Sequence, residues 1–140
     1  MTKTSAGERL LAGRCEFGAV SYRSPDAFLY AGNCHCSNCR AGTGSAFKPF
    51  VGIEQERVEV TEGADRLLVW GEEDANHTRC GVCGSLLYSV VREGAYVHVA
   101  MGSLRDEPSI RPTDRAHLRR LQGALVRDHR RPGPERGVLA

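Results

Sequence analysis

Aromatic side chains are scarce: they make up 6% of the 140 residues, a single one is tryptophan, and none follows Tyr96. A body so poor in aromatics, with its basic groups gathered elsewhere, does not read as a nucleic-acid binder. Long apolar runs are missing too. None approaches the roughly 20 residues of a membrane span, and the polar start Met1-Thr2-Lys3-Thr4-Ser5 lacks the apolar stretch of a translocation signal. No Ser-His-Asp set stands out, and no Gly-rich phosphate loop follows a strand and opens a helix. The expected setting is a reducing cytoplasm, where cysteines serve as metal ligands before they pair as disulfides.

The charge is unevenly spread. Residues 1–110 carry 11 Lys and Arg against 14 Asp and Glu, whereas residues 111–140 carry 8 Arg against 3 acids. This shift puts a boundary near Pro112, with a domain over 8–113 and a basic tail over 114–140. Thr113 or Asp114 is placed to cap a helix in that tail, where Leu118, Leu121, Leu125 and Val126 recur at helical spacing until Pro132 and Pro134 stop it. The tail reads as helical or disordered.

The body reads as mainly β and has no internal repeat. Strand candidates cover 10–22 (broken by Gly13 and Gly18), 27–31, 46–53, 57–61 and 67–70. Residues 86–91 and 95–101 form a hairpin pattern across Arg92-Glu93-Gly94, and Tyr96, His98 and Ala100 alternate with Val97, Val99 and Met101. Nothing in 1–110 sustains a helical period over three turns.

What the chain does have is cysteine in two local clusters. Three thiols fall in Cys34-His35-Cys36-Ser37-Asn38-Cys39, and Cys80-Gly81-Val82-Cys83-Gly84 follows. A Cys-x-Cys-x-x-Cys turn can aim three sulfurs at one zinc ion about 2.3 Å away. Three ligands leave one corner of the tetrahedron open to a substrate thiol, or to a fourth ligand from elsewhere in a purely structural site. The residues alone leave both readings open. The Cys80/Cys83 pair reads as a zinc knuckle, because no βαβ pattern surrounds it as a redox dithiol would require. Its partner is expected to be Cys15.

Together these residues resemble the glutathione-dependent formaldehyde-activating enzyme family, which includes centromere protein V. The matching stretches are Gly13-Arg14-Cys15-Glu16-Phe17-Gly18-Ala19-Val20-Ser21-Tyr22, Cys34-His35-Cys36-Ser37-Asn38-Cys39-Arg40, Cys80-Gly81-Val82-Cys83-Gly84-Ser85 and Gly102-Ser103-Leu104. The resemblance implies a tent-like, Mss4-like β fold of short antiparallel sheets around zinc, with one or two Zn2+ per chain. It implies a carbon–sulfur lyase, an S-(hydroxymethyl)glutathione synthase that joins glutathione to formaldehyde. By the same resemblance Cys34, Cys36 and Cys39 are the catalytic zinc ligands, and Cys15, Cys80 and Cys83 hold a structural zinc. Small thiols and aldehydes are then the expected partners, with neither a membrane nor nucleic acid among them; self-association stays open. The alternative is a non-catalytic zinc module that meets a macromolecule.

Two departures from the family pattern stand out. Where the family has Cys-x-Cys, this chain has Cys15-Glu16-Phe17, so the structural site lacks a ligand. The site must then recruit another ligand, accept water or stay empty: the Glu16 side chain is expected to point away from Cys15, and His77, three residues before Cys80, is the better-placed substitute, though it reads first as an ordinary surface histidine. The second departure follows Arg111-Pro112-Thr113, where the family continues as an apolar strand close to His-Ile-Phe-Val-Gly-Ser-Lys-Ala-Pro-Trp. Codons for residues 116–126, read one nucleotide on, permit that strand without a mismatch. The hypothesis is that residues from about Asp114 onward are a frameshifted end, and a gene whose second frame lacks the strand refutes it. Around the triple cysteine, Arg40 is a candidate to attract a substrate carboxylate or, equally, a solvated loop arginine, and His35 reads as an outer neighbour of the ligands or an exposed residue before it reads as a proton shuttle.

Overall fold

Two antiparallel sheets build the fold of the computed structural model, which describes residues 7–112. The first sheet runs β1 (Leu10–Arg14), β2 (Ser21–Pro25) and β5 (Glu59–Glu62), in the order β1-β2-β5. In β1, Leu11 and Gly13 turn inward. Gly13 is opposite Tyr22, and a Cβ there would lie 2.1 Å from the Tyr22 ring, so only glycine lets the two strands close over that ring.

The second sheet takes β3 (Tyr30–Cys34), β4 (Lys48–Glu54), β6 (Leu67–Glu72), β7 (Ala75–Cys80), β8 (Leu86–Val91) and β9 (Tyr96–Ala100), in the order β3-β4-β9-β8-β7-β6. A short helix, α1 (Ser37–Thr43), lies between β3 and β4. The expected 86–101 hairpin is present as β8 and β9. Its turn holds Arg92 and Glu93 at φ +53° and +56° before Gly94 at +85°, the left-handed conformations that close a tight hairpin. Strand β7 and helix α1 are additions to the elements read from the sequence.

The second sheet has two unlike faces. On one, Val51, Ile53, Val97 and Val99 are fully buried and join Leu11 and Tyr22 of the first sheet, and Val20 just before β2, in one continuous core. Cross-strand partners share a face, so the opposite face carries Cys34 beside Lys48, Gly52 between Tyr30 and His98, and the row His98, Ser89, His77, Trp70. Polar side chains on this second face are unusually buried: Lys48 and Ser89 are each 2% exposed. The expected helix or disorder of 114–140, and its origin in a frameshift, fall outside the described residues. Among the described residues no helix is long and apolar enough to cross a membrane.

Candidate metal centres and a basic pocket

The inner cysteine group is made by a strand end and a helix start. Cys34 closes β3, and Cys36 caps α1 in extended conformation, its Sγ accepting the Cys39 N–H at 3.4 Å. Gly44 ends the helix at φ +68°, and the Thr43 hydroxyl donates to the Cys39 carbonyl at 2.8 Å. Arg40 Nε donates to the His35 carbonyl at 3.1 Å and so ties the loop to the helix. The three sulfurs lie within 4.8 Å of one another, and Cys34 and Cys36 are 3.4 Å apart. Tetrahedral zinc with bonds of about 2.3 Å needs sulfurs about 3.8 Å apart, so the donor set fits that ion. Among the described residues no fourth His, Cys, Asp or Glu joins the group.

The sulfurs divide their protons unequally. Thiol donation from Cys34, then a contact with Cys39, holds Cys36 far below the usual thiol range, while Cys34 and Cys39 are pushed up by the same sharing. His35 departs from an exposed outer role: it is 5% exposed, stacked on Phe47 at 5.1 Å, with both ring nitrogens unpartnered. Burial, then the Arg40 charge, lowers its pKa.

Beneath this group runs a polar chain. Lys48 Nζ donates to Ser89 Oγ at 2.8 Å, and Ser89 Oγ meets His77 Nδ1 at 2.7 Å. Lys48 makes no ion pair among the described residues, and its charge acts to lower the Cys39 pKa. Further along the same face, Tyr30 Oη bonds His98 Nε2 at 2.8 Å, and Phe50 stacks on His98 at 3.9 Å.

The outer group joins the two sheets. Cys15 follows β1, and Cys80 and Cys83 bracket the turn after β7; their sulfurs also lie within 4.8 Å of one another. Cys15 and Cys80 are fully buried. Backbone N–H groups serve the sulfurs: Val20 to Cys15 and Val82 to Cys80, both at 3.3 Å. Burial pushes the Cys80 thiol up, whereas the Ser85 hydroxyl, then the Phe17 and Ser85 N–H groups, pull Cys83 down to about 6. Phe17 thus offers the sulfur its backbone while its ring stands 73% exposed. Glu16 is exposed and its N–H donates to Ser85 Oγ.

His77 does not complete this group. Residues three apart on a strand point to opposite faces, so Cys80 turns to the core and His77 to the polar face. There it touches α1, its ring 3.3 Å from the position a Gly42 Cβ would take, and it feels the Cys36 charge. His77 is thus neither a substitute ligand of the outer group nor a plain surface histidine: it neighbours the inner group.

A cavity of about 410 Å³ is lined by Gly42 and Thr43 at the end of α1, by Glu16 next to Cys15 in the chain, and by Ser85, with no cysteine among the described residues of its wall. Arg14, Lys48, Arg79 and Arg105 line it against the single carboxylate of Glu16, which makes it a site for anions. Arg79 spans the gap, donating to the Gly42 carbonyl and, at 3.0 Å, to the Gly84 carbonyl. Sequence reading missed this basic set. Lys48 had one signal, a lysine inside an otherwise apolar strand; the arginines had none, because only the fold gathers them.

The model of the glutathione-dependent formaldehyde-activating enzyme family matches residues 10–120. The chain belongs to this family. At the level of the family, the chemistry is glutathione-dependent formaldehyde activation. A crystal structure of a Rhodobacter sphaeroides protein shares the fold, with a TM-score of 0.58 and 24% identity over 70% of this chain and 91% of that one. No curated protein matches. Family membership also gives the Gly102-Ser103-Leu104 stretch a structural meaning here. Ser103 is buried and its hydroxyl bonds Tyr22 Oη and the Leu87 and Ala100 carbonyls, locking the first sheet to the second.

Proposed function

We propose that this family member is a zinc-dependent carbon–sulfur lyase that adds a small, anionic thiol such as glutathione to formaldehyde or a similar aldehyde, and runs the reverse cleavage. The observation that carries the reading is a three-sulfur group with no fourth protein ligand among the described residues, on the same short helix whose Gly42–Thr43 end lines a cavity rich in arginine. Zinc held by Cys34, Cys36 and Cys39 would supply an open coordination position at which a thiol loses its proton. Arg14, Arg79 and Arg105 draw in the carboxylates of the thiol substrate and orient it. Lys48 offsets the negative charge of three thiolates, so that a fourth sulfur anion is admitted. In the addition the thiolate sulfur bonds to the carbonyl carbon, the C=O π bond breaks, and the oxygen takes a proton equivalent to the one the thiol released. Nothing is oxidised or reduced. Cys15, Cys80 and Cys83 would hold a structural ion.

The competing reading is a structural zinc module whose inner site is closed. Cobalt substitution separates the two. Glutathione added to the cobalt-loaded protein is expected to change the thiolate-to-metal absorbance, followed by turnover in a screen of thiol and aldehyde pairs. A spectrum indifferent to glutathione and to simple thiols would sink the catalytic reading.

A further inference from the structure

Among the described residues strand β6 is an outer edge of the second sheet, and its sequence leaves that edge unguarded. Proteins blunt such edges with lysine, proline or a bulge, because outward N–H and C=O groups recruit another strand. Here Leu68, Val69 and Trp70 stand 44%, 51% and 66% exposed, in a strand with neither lysine nor proline. The ladder fixes which groups face out. The Arg66 carbonyl accepts the Gly81 N–H, and Glu72 pairs with Ala75 at the turn. Even-numbered residues therefore aim their backbone groups at β7, and Leu67, Val69 and Gly71 aim theirs away from the sheet.

We propose that a second copy of this chain pairs antiparallel along β6, about a two-fold axis at Val69. This register sets Val69 against its own counterpart, Leu67 against Gly71, Leu68 against Trp70 and Arg66 against Glu72. Arg66 and Glu72 are both exposed, and neither has an ion-pair partner among the described residues. Moving the axis to Leu68 sets Arg66 against Trp70; moving it to Trp70 sets Leu68 against Glu72. The Val69 axis alone matches apolar with apolar and positive with negative, twice over by symmetry. The two second sheets then form one sheet through both copies.

The full chain is tested by sedimentation and light scattering over a range of concentrations, with emission of Trp70, the single tryptophan, as a second readout. The expected result is a dimer whose formation shifts that emission to the blue. Arg66→Glu and Glu72→Arg should each weaken the dimer by about tenfold or more, and their combination should restore it. Oxidised Val69→Cys should give a covalent dimer, since directly opposed residues lie about 5.5 Å apart, within disulfide reach; Leu68→Cys should not. Circular dichroism confirms that each variant is folded. A monomer at every concentration overturns the proposal. So does a dimer indifferent to both charge reversals, or one that crosslinks equally well through Leu68→Cys.

Discussion

Lys48 is the residue whose position is hardest to explain by stability alone. A buried ammonium held by one neutral hydroxyl costs several kcal/mol of desolvation unless a nearby anion offsets it. Lys48 is the cross-strand partner of Cys34, which puts it on the face of the inner thiol cluster, and its charge lowers the Cys39 pKa. The two roles predict opposite signs. Lys48→Met should leave the metal-free protein as stable as before or about 1 kcal/mol more stable, because it removes a buried charge. It should weaken metal binding at the inner group by about 10–100-fold, the usual effect of losing an outer partner of the ligands. Urea unfolding of the metal-free protein and chelator competition read the two quantities separately. A parallel fall in both would mean that Lys48 only packs.

At the scale of elements, the polar face is held by β3, β4, β8 and β9, and its stability should depend on pH. Burial, then the charges of Lys48 and Arg92, draws His98 down to about 4 from an unfolded value near 6.5. The remaining groups facing it are Tyr30, which accepts or donates at Nε2, and Ser89 opposite. Because the folded pKa is depressed, the stabilisation is fully present above pH 6.5 and is lost as pH falls through about 4. After discounting for the partial exposure of His98, the loss amounts to about 1–2 kcal/mol. Urea midpoints of the metal-free protein at pH 7 and pH 4.5 should separate more in the parent than in His98→Gln; equal separations would dismiss His98 as the titrating group. The sequence made β8 and β9 legible, since Val97 and Val99 alternate with polar neighbours and Gly94 marks the turn. Strand β7 was hidden because Asn76, His77 and Arg79 flank Thr78, leaving no apolar alternation to see. Helix α1 has 7 residues and a cysteine cap, too short for any period to show. The inner cysteines were legible because their spacing is local. The Lys48–Ser89–His77 chain was not, because it exists only through the register of three strands, and the same register defeated His77 as an outer ligand.

For the whole molecule, the two cysteine groups do different mechanical work. The inner one ties β3 to α1 within one part of the chain, whereas the outer one joins Cys15, after a strand of the first sheet, to the β7–β8 turn of the second. An ion in the outer group would close a long loop and hold the sheets together, so its loss should cost more stability than loss of the inner ion. The family pattern has a cysteine at the position of Phe17, whose N–H here reaches Cys83 Sγ while its ring is exposed. Phe17→Cys should therefore raise zinc content toward two ions per chain and slow release to a chelator. Each added kcal/mol of folding energy should raise Tm by about 4–8 °C. Zinc content measured on the purified parent and variant, with thermal unfolding before and after chelation, tests this directly. If the variant gains neither zinc nor Tm, the outer cysteines hold the sheets by packing alone, and the buried Cys15 and Cys80 act as small apolar side chains of the core.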